Sequence, residues 1–527
     1  LTRIISRFMV YMWCWLFQLA VGYLLLAIVN DNLCVICFAV VEILLNSKYT
    51  KNISNHNAYL CTETTIIFMA EKIPVELGTE KIGTLLRQYA VPAIIAMTAS
   101  SLYNMVDSIF IGQGVGPLAI SGLAVTFPLM NLSAAFGTLV GVGGATLVSV
   151  LLGQRNYDMA KKVLANVFIL NVIIGVIFTI LSLSFLNPIL RFFGASDATL
   201  PYAREYMTVI LSGNIITHLY FGLNAILRAS GFPRKAMTAT ILTVVLNTIL
   251  DPIFIFVFDM GIQGAAIATV ISQTVSLVWV FRMLSDRRKL LHFSKDKFSL
   301  DWKIALRSLS IGMAPFLMNI TSSLVVILIN NQLRRHGGDM AIGAYGIINR
   351  IVYLFIMIVM GFTQGMQPIA GYNYGAKLYS RVTEVFRLTV FWATLITTLC
   401  FVVGMFFPGV AVSLFTGDPE LKAIAMRGLR IDVCLFPIVG FQMVTSNFFQ
   451  SLGLARKAIF LSLSRQLLFL IPCLAIFPSF FGVDGVWMSM PVSDAIATIV
   501  AALMLSSLIR TFRAETILQN VVKENDN

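Results

Sequence analysis

The 527 residues of the chain are 58% hydrophobic and only 12% charged, whereas a soluble protein has about 25% charged residues. Its long uncharged runs match the roughly 20 apolar residues that a helix needs to cross the hydrocarbon core of a bilayer. The composition therefore predicts an all-α polytopic membrane protein, and it excludes a soluble domain. The net charge of +13 is typical of short basic loops that orient membrane helices, so we expect no nucleic-acid partner.

Residues 1–68 differ from the rest of the chain. A run at 8–29 is long enough to span a membrane, and a shorter apolar run at 33–45 is followed by a polar stretch. Met69 then opens a charged segment that resembles an ordinary N-terminus before a first membrane helix. We interpret 1–68 either as the result of a translation start placed too far upstream or as a genuine extension, and we favour the first. A cleaved signal peptide fits poorly, because no small-residue cleavage pattern follows the first run.

Twelve apolar segments follow, and each is long enough for a membrane helix. The predicted segments are 88–111, 118–151, 162–186, 202–228, 236–258 and 262–284, and then 303–333, 341–372, 384–408, 423–451, 458–480 and 484–509. A basic polar stretch at 285–303 separates the first six from the last six. The chain therefore divides into an N-terminal extension at 1–68, a first lobe at 69–286, a cytoplasmic linker at 287–303, a second lobe at 304–512 and a cytoplasmic tail at 513–527.

The two lobes repeat each other. RASGFPRKA at 228–236 resembles QSLGLARKA at 450–458, and GIQGAAIATVISQ at 261–273 resembles GVDGVWMSMPVSD at 482–494, at a nearly constant offset. Because each lobe has an even number of predicted helices, both enter the membrane from the same side, which makes the repeat parallel. Transporters built in this way place their binding site near the midplane, between the repeats.

The charges of the connecting loops predict the orientation. Alternate loops and the linker are basic, whereas the facing loops carry few basic residues, with Arg334 and Arg335 as the main exception. The basic loop residues are Arg155, Lys161, Lys162, Arg234, Lys235, Lys377, Arg381, Arg456, Lys457, Arg510 and Arg513. By the positive-inside rule, we expect a multi-pass protein of a bacterial-type cytoplasmic (inner) membrane, with the linker and both ends of 69–527 in the cytoplasm.

One acid, Asp251, lies inside the apolar run at 237–258. An acid at membrane depth is costly, so a functional role is the first hypothesis. Asn247 lies one helical turn earlier on the same face, and Pro252 leaves a backbone carbonyl one turn back without its usual donor. Such an oxygen-rich set suits a hard monovalent cation or an exchangeable proton. The alternative is a neutral acid, bonded to Asn247, that only holds helices together.

Asp107 is the only acid of the first predicted helix, and Tyr103 and Asn104 lie one turn before it. If Asp107 faces Asp251, desolvation and mutual repulsion both favour the neutral form of at least one of the two. The alternative for Asp107 is a helix-end acid exposed at the outer loop. Thr269 of the next helix is a candidate fourth ligand, although its hydroxyl can instead bond its own helix backbone.

The second lobe lacks this set, because Ile471 stands at the position that repeats Asp251. Asp494 is the deep acid of the last helix and repeats the position of Gln273. Both are candidate cleft-lining or supporting groups, and a packing hydrogen bond is the alternative for Asp494. The sequence contains no Walker motif, no HExxH and no GxSxG, so we expect neither an enzyme nor an ATP-driven pump, and no cofactor.

Taken together, five segments resemble the multidrug and toxic compound extrusion (MATE) family, and most of all its branch of DNA-damage-inducible F proteins. They are YNMVDSIFIGQ (103–113), LRASGFPRKA (227–236), VLNTILDPIFIF (245–256), GIQGAAIATVIS (261–272) and TQGMQPIAGYNYGAK (363–377). The resemblance spans about residues 80–512 and implies two six-helix lobes around a V-shaped cleft. It implies secondary active export of amphiphilic, often cationic compounds in exchange for H⁺ or Na⁺. The ion site then falls on Asp107, Asn247, Asp251 and Thr269.

We expect small drug-like molecules as substrates, the lipid bilayer as surroundings, and a monomer. A lipid-linked saccharide flippase of the same superfamily is the alternative, because it shares the repeat plan. A flippase would favour basic residues inside the cleft to bind a pyrophosphate. The sequence places few there, since Arg350 and Arg465 lie near predicted helix ends.

Overall fold

The computed structural model describes residues 76–525, which belong to one compact unit, Glu71–Asn527. The apolar runs at 8–29 and 33–45 lie outside the described residues, so the interpretation of 1–68 stays a prediction. The described part of the chain is almost entirely helical and contains no strand. A short helix, α1 (Glu76–Thr79), precedes the first lobe.

The first lobe consists of eight helices. They are α2 (Ile82–Gly114), α3 (Pro117–Gly153), α4 (Tyr157–Ser184), α5 (Leu186–Phe192), α6 (Leu200–Ser212), α7 (Asn214–Ala229), α8 (Pro233–Pro252, continued by a π-helix at Ile253–Val257) and α9 (Gly261–Leu284). Gly116 makes the turn between α2 and α3 with a φ of 113°, which glycine adopts without strain. The side chain of Asn156 caps α4 by accepting a hydrogen bond from the Met159 N–H at 3.1 Å.

The second lobe follows the linker. Its helices are α10 (Trp302–Gly338), α11 (Met340–Gly375), α12 (Tyr379–Phe406), α13 (Pro408–Ser413), α14 (Pro419–Val433), α15 (Phe436–Ser451), α16 (Ala455–Leu463, continued by a π-helix at Ser464–Leu470), α17 (Ile471–Phe481) and α18 (Val483–Asn525). Gly338, with a φ of 67°, separates α10 from α11. Asp301 caps α10 by accepting hydrogen bonds from the N–H groups of Lys303 and Ile304.

Within 76–525, ten helical segments are long and apolar enough to cross a membrane. The bent pair α6–α7 adds an eleventh if it is counted as one span. Two predicted segments therefore differ from the straight helices that we expected. The segment at 202–228 bends by 54° at Gly213, and the segment at 423–451 is divided into α14 and α15.

The division between α14 and α15 has a local cause. Pro437 lies at the start of α15, and a proline cannot continue the hydrogen bonding of a preceding helix. In addition, α14 carries five charged residues, which lowers its apolar character. The sequence prediction of one continuous apolar helix at 423–451 was therefore wrong in detail, although both helices lie where the segment was expected.

The two lobes share a core at one end only. One buried apolar cluster contains residues from both lobes, such as Val148 of α3 and Ile369 of α11. A second cluster contains first-lobe residues alone, including Ile111 and Leu123. The first-lobe residues of the shared cluster lie in the helix halves next to the basic loops, whereas its second-lobe residues extend along that whole lobe, as far as Leu333 and Trp487. The second cluster lies in the opposite halves of the first-lobe helices. This packing joins the lobes at the end that carries the basic loops.

Candidate cation site in the first lobe

Asp251 lies at the end of α8, where the regular helix changes into the π-helix after Pro252. Both Asp251 and Asn247 are fully buried, each with 0% of its surface exposed. Neither carboxylate oxygen of Asp251 has a hydrogen-bond partner among the described residues, and the same holds for Oδ1 of Asn247. Buried polar atoms nearly always have partners in folded proteins. Three unpaired acceptor oxygens on one helix face therefore mark a place that favours a cation or a proton.

The side-chain hydroxyl of Thr269 joins three helices. Asn247 Nδ2 of α8 donates a hydrogen bond to Thr269 Oγ1 of α9 at 3.1 Å. The hydroxyl of Tyr103, on α2, lies 3.3 Å from the same Oγ1 atom. Thr269 is only 6% exposed. Its hydroxyl therefore does more than bond its own helix, which was the alternative interpretation, because it fixes the relative positions of α2, α8 and α9.

Asp107 is 6% exposed, and its Oδ1 atom has no hydrogen-bond partner in the described part of the chain. The alternative of an acid exposed at the outer loop is therefore wrong. Its carboxyl lies close enough to that of Asp251 for the two to repel each other when both are charged. No Lys or Arg side chain that the structure describes lies within 4.0 Å of either acid. Within the described residues, the pair is thus buried without a basic side chain to neutralise it.

Tyr206 of α6 is a neighbour that the sequence reasoning missed. It is 1% exposed, and its hydroxyl lies within electrostatic reach of Asp107, Asp251 and Tyr103. A tyrosine in an amphipathic helix is most simply interpreted as core packing, and nothing in the sequence around it indicates the acid pair. It lies in α6, the first half of the bent pair α6–α7.

The other predicted supporting residues stand apart from this set. Gln273 lies one turn after Thr269, and its Oε1 accepts a hydrogen bond from the Thr217 hydroxyl of α7. The structure describes the backbone of Asn104 but not its side chain. Asp494 belongs to the second lobe, where it is 5% exposed and forms an ion pair with Arg465 at 2.7 Å. Asp494 is therefore paired with a basic side chain, and a supporting role at the cleft stays a prediction.

Sequence reasoning missed this ion pair because Arg465 was placed near a helix end. The structure puts it inside the π-helix Ser464–Leu470, with 22% of its side chain exposed. Asp432 of α14 lies close enough to interact electrostatically with both Arg465 and Asp494. The second lobe therefore holds a charged cluster, but one in which an arginine already offsets an acid, unlike the acid pair of the first lobe.

The first-lobe set offers carboxylate, amide and hydroxyl oxygens, which are the ligands that hard cations prefer. Within 76–525, no group of three or more His, Cys, Asp and Glu side chains is placed to hold a metal ion. Binding of a singly charged cation between the two acids lowers their mutual repulsion. Protonation of one carboxyl meets the same electrostatic need.

Comparisons with known proteins give one consistent result. The sequence model of the MatE family matches residues 92–253 and 311–476, once in each lobe. The multidrug export protein MepA of Staphylococcus haemolyticus is 27% identical over 80% of this chain and 92% of its own length. MepA of Staphylococcus aureus (strain MSSA476) is 29% identical over 79% and 92%. A crystal structure of a MATE protein in complex with MaL6 has a TM-score of 0.79 at 26% identity, and the match covers 84% of this chain and 99% of that one.

Proposed function

Because the chain belongs to the MatE family of multidrug and toxic compound extrusion transporters, we propose that it is a secondary active multidrug efflux antiporter. It exports amphiphilic, often cationic compounds in exchange for H⁺ or Na⁺. The observation that best supports ion coupling is the buried pair Asp107 and Asp251, which has no basic partner among the described residues. Asn247, Thr269 and Tyr103 complete the site from three different helices.

The ion acts through the contacts between helices. When H⁺ or Na⁺ enters the site from outside, it cancels negative charge at Asp107 and Asp251 and removes their repulsion. The hydroxyl of Tyr103 of α2 is hydrogen-bonded to that of Thr269 of α9. An ion that binds the Thr269 oxygen therefore competes with this hydrogen bond. The ion therefore changes how α2 packs on α8 and α9. This rearrangement favours release of the compound to the outside and resets the transporter.

The driving force is sufficient for export. One elementary charge moving inward through 100 mV supplies about 2.3 kcal/mol. Since 1.4 kcal/mol corresponds to a factor of ten, this energy sustains about a 45-fold concentration ratio of an uncharged substrate. A chemical gradient of the ion adds to that value. For a monovalent cationic compound exchanged one for one, no net charge moves, so the chemical gradient of the ion alone drives export. Neither hydrolysis of a nucleotide nor a covalent intermediate is required.

The flippase alternative is less well supported. A lipid-linked pyrophosphate would require basic side chains that are free to bind it. Arg465 of the second lobe forms an ion pair with Asp494, and Arg228 of the first lobe donates a hydrogen bond to Gln364, so both already have partners. The relatives named above are multidrug export proteins. We therefore place drug-like small molecules in the cleft and, by the positive-inside rule, the basic loops, the linker and both ends of 69–527 in the cytoplasm. A monomer is sufficient for this scheme.

Transport in inverted membrane vesicles tests the proposal. A fluorescent cationic dye is supplied, and a pH gradient or a Na⁺ gradient is imposed on vesicles that carry the full chain. We expect gradient-driven dye uptake, its loss in Asp251→Asn, and its retention in Asp259→Asn. Asp259 is an exposed acid of the loop after α8, so the second variant makes the same chemical change outside the site. Gradient-driven transport by Asp251→Asn at the wild-type rate would contradict the coupling role.

A further inference from the structure

One segment that carries the family resemblance contributes nothing to the cation site. It is Thr363–Gly375, the last part of α11, which we call the α11 closing segment. Two of its glutamines form hydrogen bonds with the first lobe. Gln364 Oε1 accepts a hydrogen bond from Arg228 Nη1 at 2.8 Å, and Gln367 Nε2 donates one to Thr146 Oγ1 at 2.7 Å. Arg228 belongs to another resemblance segment, LRASGFPRKA, so two of the shared motifs meet between the lobes.

The end of the same segment also holds the entrance to the first lobe. Asn373 Nδ2 donates a hydrogen bond to the backbone carbonyl of Leu77 in α1 at 2.9 Å. Arg381, just after the segment, donates to the carbonyls of Leu77 at 3.2 Å and Glu80 at 2.6 Å. Side chains of the second lobe thus bond the backbone that leads into α2.

The backbones of α11 and α3 touch at this end. A Cβ atom added to Gly375 would lie 2.0 Å from the carbonyl oxygen of Val150, and one added to Gly153 would lie 1.9 Å from that of Tyr372. Both obstacles are backbone atoms, which cannot move aside as a side-chain tip can. Small residues permit this close approach between membrane helices. The two glycines therefore allow the lobes to close here.

The contact lies at the end of the molecule that carries the basic loops. Gly375 precedes Lys377 by two residues, and Gly153 precedes Arg155 by two residues. The acids Asp107 and Asp251 lie near the opposite ends of α2 and α8. We propose that the α11 closing segment is the cytoplasmic gate of the transporter, closed in the conformation described here. It must separate from α3 and α7 before a substrate can enter from the cytoplasm. The direction of entry rests on the proposed function, but the gate itself does not.

Arg228 serves as the polar lock of this gate. Its guanidinium has no carboxylate within 4.0 Å among the side chains that the structure describes, so Gln364 of the other lobe is its hydrogen-bond partner. A charged donor that loses its partner in a partly buried place is unfavourable. Opening the gate therefore requires that water or an entering molecule replace the Gln364 oxygen. The hydrogen bond between Arg228 and Gln364 thus stabilises the closed state, and opening the gate does not require breaking an ion pair.

Distance measurements between spin labels test the gate directly. Labels are placed at Gln154, after α3, and at Ser380, at the start of α12, since both are exposed. The full chain is used with its native cysteines replaced and its dye transport verified. Gly375→Ala is compared with Gly346→Ala, because Gly346 lies in the same helix and has open space where a Cβ would be added. Gln364→Ala removes the polar lock without adding bulk.

We expect Gly375→Ala to raise the ratio of long to short label distances by about tenfold or more, because overpacking a close contact is strongly unfavourable. Gln364→Ala should raise it by about tenfold, since it leaves the partly buried guanidinium of Arg228 without its partner. Gly346→Ala should leave the distribution unchanged. Folding is checked by thermal unfolding of each variant.

Two results would overturn the gate. One is an unchanged distance distribution in both folded variants, Gly375→Ala and Gln364→Ala. The other is a distribution that changes equally in the Gly346→Ala control. The measurement needs no ion gradient and no substrate, so a failure of the gate is distinguishable from a failure of the antiport. Loss of ion-coupled transport in all tests would leave the distance result intact.

Discussion

Thr269 gives the sharpest test of the cation site, because one hydroxyl serves two partners. Replacing it by valine keeps the shape and removes Oγ1, which leaves Asn247 Nδ2 and the Tyr103 hydroxyl without that partner. A buried group that loses its hydrogen-bond partner costs about 1–3 kcal/mol. The bound ion loses the same oxygen as a ligand, and if that contact is worth a similar free energy, the apparent affinity for the coupling ion falls by about 5- to 150-fold.

The assay is the initial rate of dye transport as a function of ion concentration in vesicles that carry the full chain. Thr269→Ser should retain most of the affinity, since it keeps the hydroxyl. Thr274→Val is the matched control, because Thr274 lies on the same helix and its hydroxyl bonds only the Val270 carbonyl at 2.7 Å. An unchanged ion dependence in Thr269→Val, with the protein folded, would refute Thr269 as a member of the site.

Three further outcomes follow from other contacts. Arg465→Leu should lower the free energy of unfolding by about 3–5 kcal/mol, because it leaves Asp494 buried without its partner. The double variant Arg465→Leu with Asp494→Leu should lose clearly less. Equal losses of the two variants in thermal unfolding would contradict a pair that acts as a unit. Asp301→Ala should cost about 1 kcal/mol by removing the cap of α10, and an unchanged melting temperature would speak against it. Asp107→Asn should abolish gradient-driven transport as Asp251→Asn does. Full transport by either variant would contradict a site in which both acids are required.

The sequence was sufficient to predict most of the membrane helices, whereas the ion-binding role of the acid site stays a prediction. Long apolar runs are determined by the thickness of the bilayer, so most helices lie within a few residues of their predicted segments. The face shared by Asn247 and Asp251 followed from helical periodicity alone. The sequence predicted that Asn247 and Thr269 belong to the same site, but not that they are hydrogen-bonded. The structure shows that hydrogen bond.

Contacts between distant parts of the chain could not be predicted in the same way. Tyr206 lies near the acid pair on a helix that is separated from the two acids by about 100 and about 45 residues of sequence, and nothing in the local pattern indicates that meeting. The ion pair of Arg465 and Asp494 depends on a π-helix that shifts the register of the residues within it. The meeting of Arg228 with Gln364 depends on how the lobes close, which is a property of tertiary packing rather than of either segment.

The most direct test of the central claim measures the ion rather than the exported compound. Full-length protein is reconstituted into vesicles, a cationic dye gradient is imposed, and the movement of H⁺ or Na⁺ in the opposite direction is recorded. We predict substrate-dependent ion flux in the wild-type protein and in Asp259→Asn, and none in Asp251→Asn, although that variant still binds the dye. Equal ion flux in Asp251→Asn, or dye transport by the wild type without movement of either ion, would contradict coupling through the acid pair of the first lobe.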